Sequence, residues 1–130
     1  MMSGQTLNIK NSDGFMHNIH SLSEVNPTFN QAQPDRDPKG MNITNIKSPE
    51  YFHVKCDVHG WMSCYVAVFD HPYFAITGED GTFQIPRVPA GAELTVMAWH
   101  EAALYVLGPT GQKLTPRADD NELNLKAEAK

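Results

Sequence analysis

The sequence predicts an all-β protein, and three observations carry that expectation. Short runs such as "TLNIKN" and "YVAVFD" alternate apolar with polar residues, the period-two pattern of a half-buried strand. Gly, Pro, Asn and Asp cluster between these runs as turn signals. Helical periodicity is nearly absent, with "HEAAL" offering one helical turn at most. Short strands separated by such turns are the pattern of a sandwich or a barrel.

Taken in order, the first strand covers 6–11, with Leu7 and Ile9 on one face, and "NSDG" ends it. "FMHNIHSL" follows, and its two histidines are placed on the loop after that strand. Residues 21–41 hold three prolines and little periodicity, which reads as a long surface loop. "NITNI", "YFHVKC" and "YVAVFD" are the next strands. In "YFAITGEDGTFQI" an Asp-Gly pair between alternating apolar residues predicts a hairpin. "PRVPAG" turns into the strand "AELTVMAW", and "YVLGPTGQKLT" reads as a hairpin with Gly-Pro-Thr-Gly at its tip. "NELNLKAEA" alternates weakly and is expected to be a last edge strand.

A length of 130 residues suits one domain with a core of its own, and the hydrophobic fraction of 41% is ordinary. A net charge of −5 and a pI near 5.6, without any basic cluster, argue against a nucleic-acid partner. No run of 18 apolar residues exists, so no membrane span is expected. "MMSGQTLNIK" has neither the basic nor the apolar region of a signal peptide, and a strand begins almost at once, as in an excised fragment. Two cysteines cannot build a disulfide scaffold. There is no Gly-rich phosphate loop and no Ser-His-Asp set, so the chain is not expected to be an enzyme.

The chemistry concentrates in "CDVHGWMSCYVAVFD", where Cys56, His59 and Met62 recur every third residue before a Val-rich strand. Thiolate, imidazole and thioether together suit copper: the sulfur ligands stabilise Cu(I), and imidazole accepts both oxidation states. A trigonal site of two histidines and one cysteine with a weak axial methionine is the blue-copper arrangement. Zinc is the nearest competitor, because Cys-x2-His is also zinc spacing, but methionine is a poor zinc ligand. A second histidine must come from elsewhere, and His17 and His20 are on offer.

At these residues the chain resembles the cupredoxins, most closely the amicyanin type. That type has the same Cys-x2-His-x2-Met loop and an upstream "His-Asn-Val-His" segment after a Gly-x-Thr strand. Here the text is "GQTLNIKNSDGFMHNIHSL", and the two motifs lie 39 residues apart between His17 and Cys56. The resemblance covers about residues 4–70. It implies a cupredoxin-like Greek-key β-sandwich and a copper ion, Cu(I)/Cu(II), held by His17, Cys56, His59 and Met62. It also implies that Asn18 hydrogen-bonds toward the ligand loop and that His20 does not bind metal. The strands that precede "GQT" in that family are missing, and sixty residues follow Asp70. Those residues, above all "FAITGEDGTFQIPRVPAGAELTVMAWHE", are similar to the carboxypeptidase regulatory-like β-domain. A single domain over 1–130 is expected, with a β-rich extension over 71–130 packed on a copper-binding portion over 4–70. Two chains completing each other as a homodimer is the alternative.

The remaining polar residues have simpler readings. Cys64 is expected to be a partly buried bystander thiol, and a Cys56–Cys64 disulfide would remove the thiolate ligand. His71 and His100 suit hydrogen-bonded structural roles better than a second metal site. His53, between Phe52 and Val54, belongs on the solvated face of its strand, and "DRD" and "ADDNE" read as solvated loops. Asn42-Ile43-Thr44 is a formal glycosylation sequon. The function expected is one-electron transfer at a mononuclear type 1 copper, with a redox partner protein, in a periplasmic or extracytoplasmic setting. The alternatives are a copper carrier or sensor module and a metal-stabilised structural β-domain.

Overall fold

A computed structural model describes residues 1–119 and 121–126. The described residues are all-β, without a helix, and form several antiparallel sheets. The chain divides into two compact units, Met1–Pro72 and Tyr73–Lys130.

In the first unit, β1 (Leu7–Asn11) pairs antiparallel with β4 (Asp37–Ile43). A four-stranded sheet is built from β2 (His17–Leu22), β3 (Asn30–Gln33), β5 (Glu50–Lys55) and β6 (Ser63–Val68), in the order β3-β2-β5-β6. The alternation read from the sequence sets the faces. Phe52 and Val54 of β5 and Val68 of β6 are buried with Ile43 and Ile46, and Leu7, Ile9 and Met41 of the β1–β4 ribbon pack on them. The ribbon and the sheet thus share one apolar core, in which each fully buried large side chain contributes about 1.5–3 kcal/mol. The register of β1 and β4 slips between Ile9 and Asn11. Gly40 stands there with a φ of 73°, and a Cβ would lie 2.6 Å from the carbonyl oxygen of Ile9, so only glycine fits.

Three expectations are corrected in this unit. His17 and His20 lie on β2, not on a loop, because "HNIHSL" pairs with β3 on one side and β5 on the other. Residues 21–41 are not one long loop, for they contain β3 and most of β4. The three prolines sit in the β2–β3 connection at Pro27, beside the turn at Pro34 and on β4 at Pro38, where no central ladder position is lost. "NITNI" contributes only its first residues, since β4 ends at Ile43.

In the second unit, β7 (Leu94–Val96) pairs with β10 (Gln112–Leu114), and β8 (Trp99–His100) pairs with β9 (Leu104–Tyr105). The two pairings nest as one interrupted hairpin whose tip is "EAA", closed by the Ala103 N–H donating to the His100 carbonyl at 3.1 Å. The expected tip, Gly-Pro-Thr-Gly, is a loop within one arm, because Gly108 and Gly111 take φ values of 72° and 65° and turn the chain out of the ladder. "HEAAL" is accordingly a turn and not a helical one. The Asp-Gly turn at 78–82 forms, with the Gly78 N–H donating to the Thr82 carbonyl, but no strands flank it. Residues 121–126 have no strand, and the rest of the expected edge strand lies outside the described residues.

Candidate metal centre

The centre is assembled at one end of the four-stranded sheet from β2 and the loop joining β5 to β6. That loop, 56–62, is closed tightly by its own backbone. The Cys56 N–H donates to the Met62 carbonyl at 3.0 Å, and the Met62 N–H donates to the His59 carbonyl at 2.9 Å. Cys56 and His59 therefore project from one compact turn, toward His17 at the start of β2.

The donor atoms converge. The Nδ1 atoms of His17 and His59 are 3.1 Å apart, and Cys56 Sγ lies 3.9 Å from the first and 3.6 Å from the second. An ion ~2.0 Å from nitrogen and ~2.3 Å from sulfur, at the middle of three ligands, needs donor separations of roughly 3.5–3.8 Å. The observed separations bracket that range, so the group is close enough to hold a metal ion. Among the described residues, it is the one such group of three or more His, Cys, Asp or Glu side chains. His17 and Cys56 are buried, at 3% and 5% exposure, and His59 is half-buried.

The outer nitrogen of His17 is fixed as well. Its Nε2 lies 3.0 Å from Asp13 Oδ2, which leaves Nδ1 to face the centre. Asp13 is placed by Asn11, a buried side chain at the end of β1. Asn11 Oδ1 accepts from the Asp13 N–H, and its Nδ2 donates to the carbonyls of Phe15 and Pro34. The Asp13 carbonyl in turn accepts from the Arg36 N–H. "NSDG" thus does more than end a strand.

Asn18, the next residue of β2, pins the 56–62 loop. Its Oδ1 accepts from the Asp57 N–H at 2.6 Å, and its Nδ2 donates to Asp57 Oδ2 at 2.8 Å. The Lys55 ammonium, Asn18, His20 and Asn30 surround the Asp57 carboxylate and hold it well below the usual carboxylate range. His20 is engaged there, with Nδ1 2.9 Å from Asp57 Oδ2, and stands outside the converging group.

Electrostatics matches the geometry. Burial pushes the Cys56 thiol up, but the backbone N–H groups of Asn18, His59 and Val58 and the His17 ring outweigh it and hold the thiol below its ordinary value. His17 is raised, chiefly by its contact with Cys56 and further by Asp13, against the effect of its burial. Both shifts act toward the charged pair, the thiol moved down and the imidazole up. A metal ion would need a thiolate and an unprotonated imidazole nitrogen, so its binding would be coupled to pH.

Met62 is half-buried and lines the same cleft, of about 240 Å³, as His17 and Cys56. Phe15 and Trp61 flank His59, with ring centroids 5.3 and 5.4 Å from it, and Phe15 also packs on His17 at 5.0 Å. Phe15, Met16, Val58 and Trp61 are exposed, Trp61 at 82%. Sequence reasoning missed Asp13 and Asn11, whose roles follow from a turn geometry that "NSDG" only hints at.

The other residues singled out have local partners. Cys56 and Cys64 are both free thiols, the first buried and the second exposed. The His100 ring accepts from the Ala102 N–H, a cap of the hairpin tip, and His71 stacks on Phe69 at 5.6 Å. His53 lies, as expected, on the face of β5 opposite the buried Phe52 and Val54, where it is half-buried against the exposed Tyr65 at 4.9 Å. No helix of the described residues is long and apolar enough to cross a membrane. Comparison of the chain with protein-family models, curated proteins and solved structures returned no match.

Proposed function

We propose that His17, Cys56, His59 and Met62 would hold a single copper ion, and that the centre would pass single electrons to a partner protein, as in the cupredoxins it resembles. The observation that carries this reading is the convergence of two Nδ1 atoms and one thiol sulfur at separations of 3.1–3.9 Å. Met62 lining the same cleft favours copper over zinc, because a thioether suits Cu(I) and is a poor zinc ligand. Bound copper supplies one-electron exchange between Cu(I) and Cu(II).

The protein's own residues supply the rest. Asp13 fixes the ring of His17 in the tautomer and orientation that present Nδ1. Asn18 and Asp57 hold the loop so that Cys56 and His59 need not move between oxidation states. Phe15 and Trp61 shield the edges of the His59 ring from water and offer an apolar face to a partner.

Addition of Cu(II), followed by visible and EPR spectroscopy, tests the reading. A thiolate ligand should give an intense charge-transfer band near ~600 nm, or near ~450 nm in a distorted site. Cys56→Ser should abolish the band and Cys64→Ser should keep it. A colourless copper complex, or loss of the band only in the Cys64 variant, would overturn the assignment.

A further inference from the structure

The cleft beside the candidate centre is lined by three sulfur-bearing residues, and only two of them belong to the proposed ligand set. Its walls include Cys56, Met62 and Cys64, and all of its lining residues lie in the first unit. Strand register explains the arrangement. Val54 faces Cys64 and Lys55 faces Ser63 across the β5–β6 ladder, and the Cys56 N–H to Met62 carbonyl bond continues it by one pair. Cys56 and Met62 are therefore direct partners, and Cys64 is diagonal to Cys56 on the same face of the sheet. Exposure rises along this row: Cys56 is buried, Met62 half-buried and Cys64 exposed.

The same geometry speaks against a disulfide. Diagonal partners in an antiparallel pair stand ~7–8 Å apart, whereas a disulfide needs Cα atoms within about 7 Å. A thiol, a thioether and a thiol at graded exposure form, instead, a series of ligands for a soft monovalent ion. The His59 ring, flanked by Phe15 and Trp61, is not among the residues that line this cleft.

We propose that this cleft is the route by which Cu(I) reaches the centre, with Cys64 as the first protein ligand and Met62 as the intermediate one. The proposal rests on the copper-centre reading above and adds a metal-acquisition role for a residue outside that ligand set. The steps are ligand exchanges without change of oxidation state. Cys64 releases its proton to solvent as its sulfur takes Cu(I) from a carrier ligand. The ion then moves to Met62 and to Cys56, whose sulfur binds it as thiolate with any thiol proton passing to solvent, and Cys64 takes back a proton from solvent as its bond to the ion breaks.

The test uses the full chain and Cu(I) presented as a coloured complex with a chelator such as bathocuproine, whose band decays as metal passes to the protein. Cys64→Ser should slow the transfer about tenfold, equivalent to roughly 1.4 kcal/mol on its barrier, and leave the final stoichiometry unchanged. Ser63→Ala, at another wall of the cleft, should leave the rate unchanged. Equal rates for Cys64→Ser and the native chain would overturn the route while leaving the centre intact. Faster transfer into Trp61→Ala would also overturn it, because the metal would then be passing on the His59 side. Failure of the native chain to take up any Cu(I) would instead overturn the copper-centre reading, and the route with it.

Discussion

Asp13 Oδ2 stands 3.0 Å from His17 Nε2, so a carboxylate four residues upstream decides which nitrogen of a buried imidazole faces Cys56 and His59 in the candidate metal centre. The contact is anchored through Asn11 and the Arg36 backbone and does not depend on a surface ion pair between two mobile side chains. Removing the outer partner of a metal-ligating histidine generally costs about 10–100-fold in metal affinity. Asp13→Ala is expected to show a loss in that range for copper, measured by competition with a chelator. Asp13→Asn keeps an acceptor but no charge, and should fall between it and the native chain. Native-like affinity in Asp13→Ala would mean that packing from Phe15 alone orients the ring.

His17 and His20 differ by one turn of the strand pattern plus one residue, yet they do different work. His17 Nδ1 faces Cys56 and His59, whereas His20 Nδ1 is held by Asp57. His17→Ala is expected to destroy the thiolate-to-copper band. His20→Ala should leave the band in place, because Asn18 and Lys55 still hold Asp57. The reverse pattern in the visible spectra would show that the wrong histidine was assigned.

The sequence carried the all-β class and the Cys-x2-His-x2-Met loop plainly, because both are local patterns. Leu7 and Ile9 alternate, and so do Phe52 and Val54, and each pair is placed as its period requires. What it did not carry was pairing between distant segments. Asn30–Gln33, "NQAQ", has almost no apolar signal and becomes a strand only because β2 offers it a ladder. In the second hairpin the two glycines of Gly-Pro-Thr-Gly suggest a tip, whereas the chain only bends aside there and turns at 101–103. Asp13 was invisible for the same reason: nothing in "NSDG" says that its carboxylate returns to His17.

Glu50 should make the first unit acid-sensitive at a place remote from the centre. Its carboxylate accepts from the Ser23 hydroxyl, the backbone N–H groups of Glu24, Val25 and Asn26, and the Asn26 side chain. Burial raises this carboxyl, but the hydrogen bonds more than offset it and hold it at about 2, against an ordinary value of 4.5. A carboxyl depressed on folding stabilises the protein fully above its unfolded value. That stabilisation should be lost as pH falls from 4.5 toward about 2. Glu50→Gln should therefore lower the denaturant midpoint at pH 7. The gap from the native chain should close as the pH drops through that window. A gap that stays constant with pH would assign the effect to shape and not to charge.

The first unit should carry both the fold and the metal chemistry by itself. Its buried cluster, Ile43, Ile46, Phe52, Val54 and Val68, lies wholly within Met1–Pro72, and so do the converging side chains of His17, Cys56 and His59 together with Met62, Asp13 and Asn18. Residues Met1–Ser3 also close on the far end of β6, where the Ser3 N–H donates to the Phe69 carbonyl and the Phe69 N–H to the Met1 carbonyl. That contact covers part of a sheet end that would otherwise present unpaired backbone groups to other chains. A chain ending at Pro72 is expected to remain soluble, to unfold in one cooperative transition in urea, and to give the same copper spectrum as the full chain. An insoluble or copper-incompetent product would show instead that residues 73–130 belong to the same cooperative unit, the organisation that the sequence alone suggested.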